Sequence, residues 1–220
     1  MKGLWWKILS VVLILYSIVA GFTVTVPDIG NLGETIRNIF FHVCMWFAMI
    51  VMFAVSVVNS VRYLSSGKLY HDMIACESVN VGVVFGILGI ITGTIWAKFT
   101  WGQWWLNDPK LNGAAVALIA YFAYFILRDA IPEGIKRARI AAVYNIFSFV
   151  LTVLFMFILP KLSSGSIHPG DGANSDIPVF TMSRNMALVF FPAAAGWILF
   201  AIWILSVRIR IIKIKNSVNN

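Results

Sequence analysis

Charge is what this chain has least of. Only 12% of its 220 residues are Asp, Glu, Lys or Arg, while 60% are hydrophobic and the mean hydropathy is +0.86. A soluble domain of this length could not cover so much apolar surface, so the composition excludes a soluble fold and leaves an integral membrane protein. Cysteine is nearly missing as well. Cys44 and Cys76 form no Cys-x-x-Cys, which argues against a thiol-disulfide carrier, and each reads as a small buried apolar residue. The apolar runs themselves are short of Asp, Glu, Lys and Arg, and an ion-coupled transporter usually needs such charge inside the membrane. No repeat of solenoid length is present.

What the chain does have is length of apolar run. Crossing a hydrocarbon core takes roughly 20 apolar residues, and six segments qualify, at about 5–26, 39–61, 79–99, 113–130, 138–160 and 186–207. The expected fold is an all-α integral membrane protein, a single six-helix transmembrane domain over 1–220. The start, Met1-Lys2-Gly3-Leu4-Trp5-Trp6-Lys7, resembles a signal peptide, but the apolar run is too long and lacks a small-x-small cleavage site before Pro27-Asp28, so it is expected to be a retained helix.

The basic residues set the expected orientation. Lys2, Lys7, Arg62, Lys68, Arg128, Lys136, Arg137, Arg139, Arg208, Arg210, Lys213 and Lys215 fall on one side, and Arg37, Lys98, Lys110, Lys161 and Arg184 on the other. The richer side is cytoplasmic. Both termini are then inside, and loops 100–112 and 161–185 face outward. Asp28, Glu34, Asp108, Asp171 and Asp176 leave the outer face near neutral. The net charge of +8 thus reflects topology and contact with anionic membrane lipid, not nucleic-acid binding. Residues 62–78 and 131–137, the latter with Pro132-Glu133-Gly134, read as solvated cytoplasmic connections. Cys44 and Cys76 fall at opposite membrane ends and cannot pair.

The outer segment Thr100-Trp101-Gly102-Gln103-Trp104-Trp105-Leu106-Asn107-Asp108-Pro109-Lys110 carries three tryptophans and a carboxylate between two membrane-length runs. If it is helical, Trp101, Trp104 and Trp105 share one face with Asp108 among them, a shelf for a large flat ligand. An interfacial aromatic belt covers Trp5, Trp6 and Trp197 well. It explains neither Asp108 within the segment nor Gly102, which lets something approach the backbone. On the preceding span Gly82, Gly86, Gly89 and Gly93 recur at spacings of three and four, so a neighbouring helix can pack closely there.

Three histidines complete the inventory. His71, beside Tyr70 and Asp72, reads as a solvated loop residue. His42 enters the second span about one turn below its outer end, and an ionisable side chain in that apolar company marks a functional site. His168 stands in the outer loop Ser166-Ile167-His168-Pro169-Gly170. Topology puts both at the tryptophan surface, and two neutral imidazoles can supply the two axial ligands of haem iron. Zinc wants three or four ligands, and only the two histidines, Asp108 and Asp171 or Asp176 are at hand. Cys44, two positions from His42, faces away from it, which leaves little for nucleophilic catalysis. Haem propionates need cations; Arg37 and Lys110 are the first choices among the outer basic residues, each also explicable as an interfacial anchor.

The segment Trp101-Gly102-Gln103-Trp104-Trp105-Leu106-Asn107-Asp108-Pro109-Lys110 resembles the tryptophan-rich signature of the CcmC/CcmF/CcsA haem-handling family of cytochrome c maturation. Over nearly its full length the chain is similar to the CcmC branch: six helices, a histidine at the outer end of the second, the signature between the third and fourth, and a histidine between the fifth and sixth. Asn107 stands where the family usually has another tryptophan, and Asp108-Pro109-Lys110 also resembles the CcsA branch. The resemblance implies that His42 and His168 are axial ligands and that Trp101, Gly102, Trp104, Trp105 and Asp108 hold haem b as transient cargo, with Lys110 and Arg37 at basic positions of the family. It implies a bacterial inner-membrane location with the haem site facing the periplasm. The implied partners are a periplasmic haem chaperone (CcmE-like), ABC-transporter subunits (CcmA-like and CcmB-like) and a small CcmD-like membrane protein. No bond of the cargo need be broken by such a protein, so it would not be an enzyme. A haem or small-solute permease subunit and a CcsA-type synthase subunit are the alternatives; the latter generally needs further transmembrane histidines.

Overall fold

The structure is a computed structural model, and it describes residues 3–27, 30–163, 165–169, 171 and 182–218, with the side chains of 30 and 31 excepted. Met1, Lys2, Asp28, Gly170 and Asp176, which entered the reading of the sequence, lie outside the described residues, as do 164 and the rest of 172–181 in the 161–185 loop.

Six helical stretches are long and apolar enough to cross a membrane. Helix α1 is Trp5–Thr23, α2 Ile39–Ser66, α3 Leu69–Trp101, α4 Pro109–Asp129 and α5 Ile135–Val153. A π turn, Leu154–Ile158, leads from α5 into the single turn α6, Leu159–Leu162, and α7 is Arg184–Val218. A 3-10 segment, Gly30–Asn38, precedes α2. Helix α2 is central and packs on α3, α5 and α7, while α1 packs chiefly on α7.

The connection expected over 62–78 is a correction, because α2 and α3 are separated only by Gly67 and Lys68. The charges taken there for solvated turn residues are partnered across helices. Asp72 meets Arg128 of α4 in a two-bond fork, 2.8 and 2.6 Å, and Glu77 bonds Arg208 of α7. A forked, largely buried pair of this kind fixes geometry as well as charge. His71 is likewise in the first turn of α3 rather than in a loop, its Nδ1 3.3 Å from Asn59 Oδ1.

The glycine stripe of α3 does what its spacing predicts. A Cβ at Gly82 would come within 2.5 Å of Phe53, and one at Gly86 within 2.5 Å of Leu118. Phe53 in turn stacks on Tyr121 with ring centroids 3.7 Å apart. Prolines shape two other helices. Pro192 in α7 has no N–H to give the Leu188 carbonyl, and Tyr16 of α1 donates to that carbonyl instead, at 3.2 Å. Pro160 follows the π turn, whose Phe155 carbonyl lies against Gly113 of α4 so closely that any Cβ would collide with it. Such one-residue insertions in a helix are frequent at functional sites.

Between α2 and α5 the packed interior is polar rather than uniformly apolar. Asn145 donates to Ser56 Oγ at 2.6 Å and to Ser60 Oγ at 2.8 Å, all three buried.

Candidate functional site

Of the residues singled out in the sequence, His42, His168, Trp101, Trp105 and Lys110 converge on one cavity. His42, one turn into α2, is 5% exposed. Its Nδ1 lies 3.0 Å from the Gly89 carbonyl oxygen and 3.2 Å from Thr92 Oγ1, and its Nε2 accepts from Trp46 Nε1–H at 3.2 Å. The last two glycines of the α3 stripe make the room for this. Cβ atoms there would approach Trp46 to 2.7 Å at Gly89 and His42 Cε1 to 2.6 Å at Gly93. Gly93→Ala is therefore expected to push the imidazole aside; overpacking of this kind typically costs about 1–3 kcal/mol. Ligand affinity at His42 should fall about 5- to 100-fold with helical content unchanged, measured by titration of the purified protein. Wild-type affinity in that variant would remove His42 from the site.

His168 sits across from His42, ring centroids 6.4 Å apart and planes tilted by 54°. Its Nδ1 is buried and has no hydrogen-bond partner among the described residues. Burial, with Lys110 adding in the same direction, lowers its pKa from 6.5 to about 4, against the opposing pull of Asp108 and Asp171. The ring is neutral at pH 7 and keeps a lone pair for a ligand.

Two histidines and three tryptophans form one aromatic cluster, and its centre was not singled out in the sequence. Trp96 is 4% exposed, with its ring 5.6 Å from His42, 6.3 Å from His168 and 6.5 Å from Trp101. Its indole donates to Thr35 Oγ1, which is 2.8 Å from Thr100 Oγ1, so the 3-10 segment steadies it. Trp101 lies 6.4 Å from His168. Trp105 donates to Asn112 Oδ1 at 3.2 Å, and Asn112 in turn donates to Asn107.

The tryptophan segment is not one helix, which corrects the shared-face expectation. Helix α3 ends at Trp101, and Gly102 adopts φ +79°, the left-handed cap that glycine takes without strain. Gly102 thus serves as the C-cap of α3. Trp104 is 60% exposed and does not line the histidines' cavity. Asp108 is 2% exposed and does not lie among the tryptophans. Its Oδ1 accepts from the Lys110 and Leu111 amides at 2.7 and 3.4 Å, capping α4, and its Oδ2 accepts from Ser166 Oγ and the Ile167 amide at 3.1 and 2.8 Å. Asp108 is the clasp that holds the His168 strap to the bundle. Arg37 is also committed elsewhere: it donates to the Gly21 and Val24 carbonyls at the end of α1 and pairs with Glu34.

Between these groups opens a cavity of about 830 Å³. Trp46, Trp96, Trp101 and Trp105 wall it with both histidines, and aliphatic, Phe and Met side chains from α2, α3, α4 and α7 make it mainly apolar. Two cations stand at it, Lys110 and, unforeseen, Lys161. Lys110 pairs with buried Asp171 at 2.8 Å. Among the described residues no three His, Cys, Asp or Glu gather as a metal cluster. The volume lies within the roughly 300–1,000 Å³ of small-molecule and cofactor sites.

Residues 2–220 match the family model of CcmC, heme exporter protein C. The chain belongs to the heme exporter protein C family. The heme exporter protein C of Paracoccus denitrificans is 26% identical over 184 residues, 84% of this chain and 76% of that one. The Escherichia coli heme exporter protein C is 23% identical over 219 residues, 97% and 82% of the two chains. Cytochrome c biogenesis protein CcsA of Prochlorococcus marinus is 34% identical, but over 101 residues, 46% of this chain and 31% of its own. The heme exporter protein C relatives thus match most of the chain, and this CcsA less than half of it.

Proposed function

We propose that this multi-pass membrane protein holds haem b as cargo in the cavity between His42 and His168, at the outer face of the bacterial inner membrane, and presents it to a periplasmic haem chaperone for cytochrome c maturation. One observation carries the reading: two imidazoles face each other across an apolar, tryptophan-walled cavity at 6.4 Å. Two metal–imidazole bonds of about 2 Å each, plus the distance from nitrogen to ring centre, put centroids roughly 6 Å apart. The Nδ1 of His168, without a hydrogen-bond partner among the described residues, supports a ring with a nitrogen to spare.

The remaining roles follow from placement. Trp96, Trp101 and Trp105 pack against the porphyrin, and Lys110 and Lys161 meet the propionates, with Asp171 holding Lys110 meanwhile. Gly102, Trp104, Asp108 and Arg37 support the site from outside the cavity. Exposed Trp104 offers a surface to a CcmE-like chaperone. CcmA-like and CcmB-like ABC-transporter subunits and a small CcmD-like protein complete the proposed assembly, in which the chain binds and hands on haem without breaking its bonds. A permease reading asks for a polar route through the bundle, and the polar side chains of Ser56, Ser60 and Asn145 are bonded to one another within the packed interior. The one further histidine, His71, is at the far end of α3 from the site and is bonded to Asn59.

The test is an absorption spectrum of protein purified from haem-replete cells, followed as pH falls. A six-coordinate, low-spin Soret band should appear. Protons compete with iron for the neutral imidazole, so with the His168 pKa lowered to about 4 the band should persist well below pH 6.5 and be lost as pH approaches 4. The stability sign agrees: a buried His kept neutral favours folding above the unfolded pKa of 6.5 and loses that advantage as pH falls towards about 4. A colourless preparation would overturn the proposal.

A further inference from the structure

His42 is the site residue whose proton the structure fixes. Trp46 Nε1 can only donate, and it points at His42 Nε2 from 3.2 Å, so that nitrogen carries the lone pair. At the opposite edge, Nδ1 is 3.0 Å from the Gly89 carbonyl oxygen, which can only accept. It is also 3.2 Å from Thr92 Oγ1, whose own proton is shared between the Leu88 and Gly89 carbonyls at 2.8 and 3.1 Å. Both edges demand one tautomer, with the proton on Nδ1 and the pair on Nε2. That tautomer is the one an iron at Nε2 requires, with Gly89 as the fixed carbonyl partner that ligating histidines use to set ring orientation.

The pair on Nε2 can serve only one partner. We propose that Trp46 guards the His42 ligand: its indole N–H occupies the lone pair, so that haem binds His42 only as Trp46 lets go. This rests on the reading of His42 as an axial ligand. Trp46 is placed for the task by chain register, four residues after His42 and so one turn away on the same face of α2. Its ring seats over Gly89, where no side chain could fit beneath it. The half-buried indole also lines the cavity, so it has free volume into which to turn. The guard does two things. It keeps the imidazole oriented and its buried lone pair satisfied, and it sets a threshold for capture that a porphyrin must exceed through contacts with the other walls. Trp46 is thus a positioning residue for the proposed binding, distinct in role from Trp96, Trp101 and Trp105, which wall the cavity beside it.

Trp46→Phe keeps an aromatic ring of nearly the same reach and deletes the donor. A hydrogen bond of this type is worth a factor of about five in an equilibrium constant, so haemin association to purified protein in detergent should quicken, and its affinity rise, about fivefold. Nitrogen-15 NMR of labelled histidine supplies a readout that needs no haem. The Nε2 resonance of His42 should move towards that of an unbonded lone pair in Trp46→Phe, while Trp101→Phe leaves it in place. In the wild-type protein the Trp46 indole N–H resonance should shift when haemin is added, a measurement that holds even if the variant folds poorly. An unchanged Nε2 resonance in Trp46→Phe, or an indole resonance indifferent to haemin, overturns the guard. A wild type that takes up haemin as fast as Trp46→Phe overturns the guard and leaves the proposed function standing; a wild type that takes up none overturns both.

Discussion

Replacing both His42 and His168 by alanine should leave the purified protein without a Soret band. Each substitution alone should lower haem affinity more than tenfold and turn a low-spin six-coordinate spectrum into a high-spin five-coordinate one, since one axial position is then empty. The two single variants differ in a way that guards against a trivial explanation. His42 is bonded at both ring nitrogens, to Gly89, Thr92 and Trp46, and its removal leaves the Trp46 indole N–H unpartnered at a cost of about 1–3 kcal/mol. His168 has a ring nitrogen with no partner among the described residues, so His168→Ala should barely change the unfolding temperature. Loss of haem from His168→Ala at wild-type stability would therefore report ligation alone. Full haem content in the double variant would refute the site.

The second large effect is expected from a residue that stands clear of the cavity. Asp108→Ala removes the N-cap of α4, worth about 1 kcal/mol, and takes from the buried Ser166 hydroxyl the Oδ2 acceptor it shares with the Ile167 amide. A buried hydroxyl that loses its acceptor costs about 1–3 kcal/mol. The sum falls on one spot, the attachment of the strap bearing His168, and 1.4 kcal/mol is a factor of ten. Haem affinity should fall roughly 100-fold, with the spectrum changing as it does in His168→Ala while α1, α2 and α7 keep their helical signal. Asp108→Asn keeps one acceptor oxygen and should fall between. If Asp108→Ala retains the six-coordinate spectrum, the strap does not depend on this clasp.

Much of this was legible in the sequence, because a bilayer imposes its thickness on every span, and apolar length is therefore read directly. The junction of α2 and α3 was not. Asp72 and Glu77 look like loop charges until their partners, 56 and 131 residues away, are seen; no local pattern encodes such pairings. At the site, the type of residue was legible and the job often was not. Asp108 followed by Pro109 is a helix-start signature, which could have revealed a cap instead of a member of an aromatic face. Trp46 stands four residues after His42 and was open to the same one-turn argument. Trp96 and Lys161 gave no such signal, since their inward bearing depends on how α3 packs beneath the 3-10 segment and on the π turn.

That π turn makes the aim of the site depend on a residue count. Five residues, Leu154–Ile158, are wound one residue wider than an α-helix, and every side chain beyond them inherits the phase. Winding the same five residues as ordinary α-helix would swing all that follows by about 100° and push it about 1.5 Å further along the axis. Lys161 would leave the cavity, and the strap would start from a different azimuth, carrying His168 away from His42. The fifth span thus acts as a dial set one notch off the regular helix, with the Phe155 carbonyl seated against Gly113 as the detent that holds the setting.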